Sequence, residues 1–199
     1  STRAIDAGQS TLQATGILTN INAMTHLFTV EDTDLGIIFL TASGDMAFQD
    51  RHHRFNSPFT VSQAAFGDTS TDNKYSAVNL SFEDLRIYND IRVTRLSGTE
   101  QVATSTTSQD SYGPRSMERP SLLMTLDADA SAQAYYLLAR YQTPAMRCRL
   151  IEIRANSDPS NLYPKVFGYD VSTRITIKLS QASLNKDYHI EGIYHDWDV

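Results

Sequence analysis

Two rhythms of apolar positions alternate along this chain. Near the start, Leu12, Ile17, Leu18, Ile21, Met24 and Leu27 recur at approximate helical spacing. Ser10-Thr11-Leu12-Gln13 just before them has the form of a capping box, in which a serine oxygen accepts an amide hydrogen and a glutamine reaches back. The pattern predicts a helix over residues 10–28, weakened by Gly16 and by its β-branched residues, and so dependent on packing. Residues 35–40 and 45–49 then flank the polar turn Thr41-Ala42-Ser43-Gly44, a hairpin signal.

From 57 to 77 the chain is rich in Ser, Thr, Asp, Asn and Gly and reads as a surface connection, with at most a short strand around Phe59-Thr60-Val61. Over 85–96 the period becomes two, with Leu85, Ile87, Asn89, Ile91 and Val93 on one parity, which marks a buried strand face. Asn89 within that face implies a bulge or bend, the alternative being a satisfied polar group at a strand edge. Residues 100–104 return as a partner strand, and 105–120 read as loop. The period of a helix comes back at Ala130, Ala134, Leu137, Leu138 and Tyr141, capped by Asp127 or Asp129 and stopped by Thr143-Pro144, which predicts a helix over 128–142. A strand is expected over 146–154, a loop around Asp158-Pro159 and Tyr163-Pro164, and closing strands over 174–179 and 188–194.

These elements define an α+β chain: β-rich, barrel-like or sandwich in its sheets, with two main helices. The expected organisation is a helix and hairpin segment at 1–56, the connection at 57–77, and a β-rich segment with one packed helix at 78–199. Together they form one compact structural unit, or a fragment of a longer protein. Ser1-Thr2-Arg3 opens no recognisable signal peptide, and the lack of an initiator Met points to processing or excision.

Composition narrows the function. The net charge is -6 and no basic run occurs, which argues against tight nucleic-acid binding; an acidic surface lining a passage would instead let DNA slide. Cys148 is the single cysteine, so no intrachain disulfide or thiolate metal cluster can form, and its alternating surroundings suit a small buried side chain. No stretch is apolar for the roughly 18 residues that a membrane-spanning helix needs.

Signals for chemistry are equally sparse. The five histidines form no His-Glu-x-x-His, and His52 and His53 would point to opposite sides of a strand. His195-Asp196 could pair a base with its orienting acid, although a polar chain end explains it as well. Gly-x-Ser-x-Gly and the phosphate-cradling glycine motifs are missing, and Asp127-Ala128-Asp129 fits a helix start better than a calcium loop. The sequence therefore assigns no catalytic residue, no cofactor and no metal.

Several stretches, in their order and spacing, resemble the tail-tip and baseplate-hub proteins of long-tailed bacteriophages and related injection particles. They are the helix at 10–28, Leu35-Gly36-Ile37-Ile38-Phe39, and Gly44-Asp45-Met46-Ala47-Phe48-Gln49-Asp50-Arg51. Ile87-Tyr88-Asn89-Asp90-Ile91-Arg92-Val93-Thr94, Gly98-x-x-Gln101-Val102-Ala103, Ser111-Tyr112-Gly113-Pro114-Arg115, Leu137-Leu138-Ala139-Arg140-Tyr141 and Ile190-Glu191-Gly192-Ile193-Tyr194-His195 follow. The resemblance spans residues 10–195. It implies a virion structural protein that assembles in the host cytoplasm with copies of itself, as in a threefold ring, and with other tail proteins. It departs from the family pattern at Asp170-Val171-Ser172-Thr173-Arg174, which lacks a Gly-Asp before the penultimate strand, and in having no upstream hub region.

The candidate residues are accordingly structural or interfacial. Tyr112, Gly113 and Arg115 share a loop in which glycine permits unusual backbone angles and arginine can anchor carbonyls or carboxylates; an ordinary exposed turn is the alternative. Tyr135 and Tyr136 flank the helical stripe, one suited to the core and the other to a partner or to solvent. Asn89 completes the set. A carbohydrate- or receptor-binding module using Tyr and Trp197 as stacking surfaces is the second expectation, and a peptidoglycan-degrading enzyme the third.

Overall fold

The structure, a computed structural model, describes residues 4–14 and 19–196. In chain order its first elements are β1 (Ala4–Ile5), α1 (Ala23–Asp34), β2 (Ile37–Leu40), β3 (Met46–Gln49) and β4 (Ala64–Phe66). Next come β5 (Ala77–Glu83), β6 (Asp90–Arg95), β7 (Gln101–Thr104), α2 (Thr106–Tyr112), β8 (Ser116–Leu122) and α3 (Asp127–Tyr141). The chain ends with β9 (Ala145–Glu152), α4 (Pro159–Gly168), β10 (Arg174–Leu179) and β11 (Leu184–His189). The fold is α+β, as the alternating rhythms predict. Its sheets are small, and among the described residues none closes into a barrel.

Two compact units share the chain, one from residues 1–51 and 82–146, the other from 52–81 and 147–199. In the first, the predicted hairpin forms: β2 and β3 pair antiparallel, Ile37 opposite Gln49 and Leu40 opposite Met46, with β1 parallel to β3 on the other side. A second sheet has the order β7-β6-β8, antiparallel on one side of β6 and parallel on the other. Onto it packs α3, whose Ala130, Ala134, Leu137 and Leu138 meet Ile91, Val93, Ala103 and Met124 in one core. The stripe read from the sequence is the stripe that is buried.

Four sequence expectations in this unit are corrected. The helix expected over 10–28 runs instead over Ala23–Asp34, where the Asn22 side chain accepts the Met24 amide and Leu35 closes the helix with φ 56°. Residues 11–13 are taken by an extended pairing with 123–125, in which Gln13 N–H donates to the Leu123 carbonyl and Thr125 N–H to that of Thr11. No capping box can form there, and Gly16, Ile17 and Leu18 lie outside the described residues. Leu85 is 82% exposed rather than buried, because β6 begins only at Asp90. The stretch 105–120 is not a loop: Ser105 caps α2 through a bond from Ser108 N–H, and β8 follows. Pro120 is compatible with β8 because that strand lies at the edge of its sheet. Finally, neither Asp127 nor Asp129 is the cap of α3; Leu126 holds that position, and Asp127 binds Arg95.

In the second unit β10 is central, antiparallel to β11 and parallel to β4, and β5 pairs with β9. Phe66, Leu162, Ile175 and Ile177 form its core. The polar stretch 57–77 thus contains a strand with a buried phenylalanine, placed at Ala64–Phe66 rather than at Phe59-Thr60-Val61. The expected loop at 158–164 is the start of α4, where Pro159 occupies a first-turn position that needs no amide hydrogen and Leu162 is buried. The last strand ends at His189, earlier than expected, because the tight turn at 180–183 sets the register from Leu179 opposite Leu184 to Arg174 opposite His189.

Candidate functional site

Four of the six candidate residues meet in the first unit. Asn89 is fully buried just ahead of β6, its side chain fixed at both ends. Its Oδ1 accepts the Arg115 N–H at 2.8 Å, and its Nδ2 donates to the Gly113 carbonyl at 2.9 Å and to Ser108 Oγ at 3.2 Å. The bulge of β6 lies between Val93 and Arg95, so Asn89 is the satisfied polar group and not the bulge. Gly113 ends α2 with φ 74°, a backbone conformation that side chains disfavour, and its N–H closes the helix on Gln109. Arg115 Nε donates to the Tyr112 carbonyl at 3.3 Å, and Nη1 donates to the Asp84 carbonyl. Tyr112 itself is the last residue of α2 and is exposed. The arginine anchors carbonyls, as its sequence context suggests.

Tyr135 and Tyr136 take no part in that knot. Tyr136 packs against the core of the first unit, with its hydroxyl accepting from Arg140 at 3.4 Å, while Tyr135 is 61% exposed. Helical geometry turns successive side chains through about 100°, so one can be buried while the next is wet.

The remaining chemical candidates disperse. His53 belongs to a single 3-10 turn, with its ring 4.6 Å from that of Phe59, and His195 lies 5.6 Å from Phe167. Among the described residues no group of three or more His, Cys, Asp or Glu is placed to hold a metal ion. Cys148 is half-buried on β9 and its Sγ donates to the Leu150 carbonyl; burial pushes its thiol pKa up. Trp197 lies outside the described residues.

Two features escaped the sequence. Met24 and Phe28, four apart on one face of α1, are exposed apolar side chains, and Ile21 just ahead of the helix is exposed as well. The same spacing in the sequence marks them equally well as core. The second is Asp34, buried at the last position of α1, where an acidic residue opposes the helix dipole; that mismatch is a legible signal once the helix end is known.

No protein-family model matches the chain, and no curated protein matches it in sequence. In structure it is similar to the tail protein from Neisseria meningitidis MC58, with a TM-score of 0.55 and 12% sequence identity. The similarity covers 94% of this chain and 54% of that one, so the chain spans about half the length of this neighbour. The two share a fold.

Proposed function

We propose that this chain is a structural component of a phage virion, part of the tail tip or baseplate hub, and that it works by protein–protein assembly rather than catalysis. The likeness of fold to a tail protein carries this reading. The exposed Met24 and Phe28 on one face of α1 support it, since apolar side chains grouped on one face gain most when a partner covers them. Its partners are further copies of itself, in a threefold ring, and other tail proteins. It is made in the host cytoplasm and resides in the tail, and the net charge of -6 suits a surface past which DNA slides without adhering. Light scattering over a concentration series should give three times the chain mass or more; a monomer throughout removes the self-assembled ring. Gold-labelled antibody against the chain should decorate the tails of purified particles, and unlabelled tails would sink the virion assignment.

A second reading, a carbohydrate-binding module, is favoured by one observation in the second unit. The rings of Tyr163, Phe167 and His195 form a chain at 5.6 Å spacings, and Tyr194, next to His195 in sequence, is 87% exposed. Exposed ring faces of this kind can stack on sugars. Oligosaccharide titration followed by tyrosine fluorescence separates the readings, since only the module responds saturably.

A further inference from the structure

The last residue of α1 carries an unpaid electrostatic cost. Asp34 is 2% exposed, and its Oδ1 accepts the backbone N–H groups of Gln9 at 2.8 Å and Ser10 at 2.9 Å. Its other oxygen, Oδ2, is buried and has no hydrogen-bond partner among the described residues. A buried acceptor left without a donor is destabilising, and more so when it belongs to a charged group. Position adds to the imbalance. The C-terminal end of a helix is its negative pole, and the last turn of α1 carries no basic residue that would offset it. The neighbouring polar groups are engaged elsewhere: Arg51 Nη1 donates to Ser10 Oγ at 3.2 Å, and Asp50 accepts from Gln9 Nε2 at 2.6 Å.

Asp34 also lines a cavity of about 370 Å³, together with Gly8, Ser10, Leu12, Val30 and Phe48. It is the single charged side chain among the described lining residues. We infer that this cavity is a binding site for a cationic nitrogen, an ammonium or guanidinium group, which donates to Asp34 Oδ2. The chemistry fits in three respects. A carboxylate held by two backbone amides is already oriented, so a charge-assisted bond to its free oxygen needs little further ordering. Leu12, Val30 and Phe48 supply an apolar wall for the aliphatic stem that such a group carries. A hard divalent cation would need six or more oxygen ligands, whereas this cavity offers one carboxylate. The inference does not depend on the tail assignment. The cation can come from a basic side chain of another polypeptide or from a free small amine.

The test is an amide-resolved NMR titration of the intact chain with methylguanidinium and with butylammonium, at ionic strength held constant with sodium chloride. Saturable shifts should appear at the Gln9 and Ser10 amides, which report directly on the carboxylate. In Asp34→Asn the affinity should fall at least about tenfold. Val30→Phe narrows the cavity while leaving the carboxylate in place, so it should also weaken binding, and it decides the matter if Asp34→Asn fails to fold. Shifts that never saturate, or that persist unchanged in both variants, overturn the site. End-blocked arginine peptides distinguish the sources: tighter binding than methylguanidinium points to a polypeptide side chain, and equal binding to a free amine.

Discussion

Asn89 and Arg115 hold each other twice: the Arg115 N–H donates to Asn89 Oδ1 at 2.8 Å, and the Asn89 N–H donates to the Arg115 carbonyl at 2.9 Å. This reciprocal pair ties the start of β6 to the segment that leads from α2 into β8. It does so with a buried amide whose donors are also used, on Gly113 and Ser108. Removing the amide strands two backbone groups at once, the Arg115 N–H and the Gly113 carbonyl. Asn89→Ala should therefore destabilise the first unit by about 2–3 kcal/mol, read as a lower urea midpoint. An unchanged midpoint would mean that water replaces the side chain at no cost.

Gly36 sits where β2 meets β3. A Cβ added there would stand 2.5 Å from Phe48 Cε2 and 2.7 Å from the Gln49 carbonyl oxygen, and the second obstacle is backbone. Gly36→Ala should cost about 1–3 kcal/mol through overpacking, with faster hydrogen exchange at β3 amides. Wild-type exchange would show that the hairpin shifts without penalty.

In the second unit, Phe66 is the large buried side chain of β4, 1% exposed. Phe66→Ala should lose about 3–5 kcal/mol there, from lost transfer energy and the cavity left behind. Calorimetry should show the corresponding transition move down in temperature. If 57–77 were merely a connecting loop, the variant would melt like the parent.

Acid should destabilise the second unit in two stages. Burial pushes the His189 pKa below its ordinary value, against a raising bond to the Phe59 carbonyl and with Arg54, Arg174, Glu191 and Asp187 as charged neighbours. Because its folded pKa is depressed, the unfolded chain takes up the proton first as pH falls below about 6.5, and stability drops. Asp187 is held below the ordinary carboxylate range by Thr176 and then Arg174, so its contribution is present above about pH 4 and disappears as pH falls through the folded value. Urea midpoints measured from pH 8 to 3 should follow this course, and His189→Gln should flatten the stage near pH 6. An identical profile in that variant would remove His189 from the account.

Local signals made much of the fold legible. The hairpin at 37–49 needs only alternation and a glycine turn, and α3 needs only its apolar stripe, because in both the pattern spans neighbouring residues. Of the parity Leu85, Ile87, Asn89, Ile91 and Val93, the last four are buried and Leu85 is not, and only Ile91 and Val93 lie within β6. The candidate knot was partly visible, since Tyr112, Gly113 and Arg115 stood out by residue type, and Asn89 by being polar on an apolar face.

What the sequence alone determined, then, was the α+β class, the hairpin at 37–49, the helix α3 and the absence of familiar catalytic motifs from the chain. The tertiary structure decided the rest. It set the start of α1, because residues 11–13 gain more from pairing with 123–125 than from a helical turn of their own. It made strand and helix of polar or proline-bearing stretches, because β4 and α4 are held by Phe66 and Leu162 in a core drawn from distant segments. It also buried Asp34 beside a cavity at a helix end. Such outcomes depend on which surfaces meet across long separations in the chain, and a local period of two or of 3.6 carries no record of that.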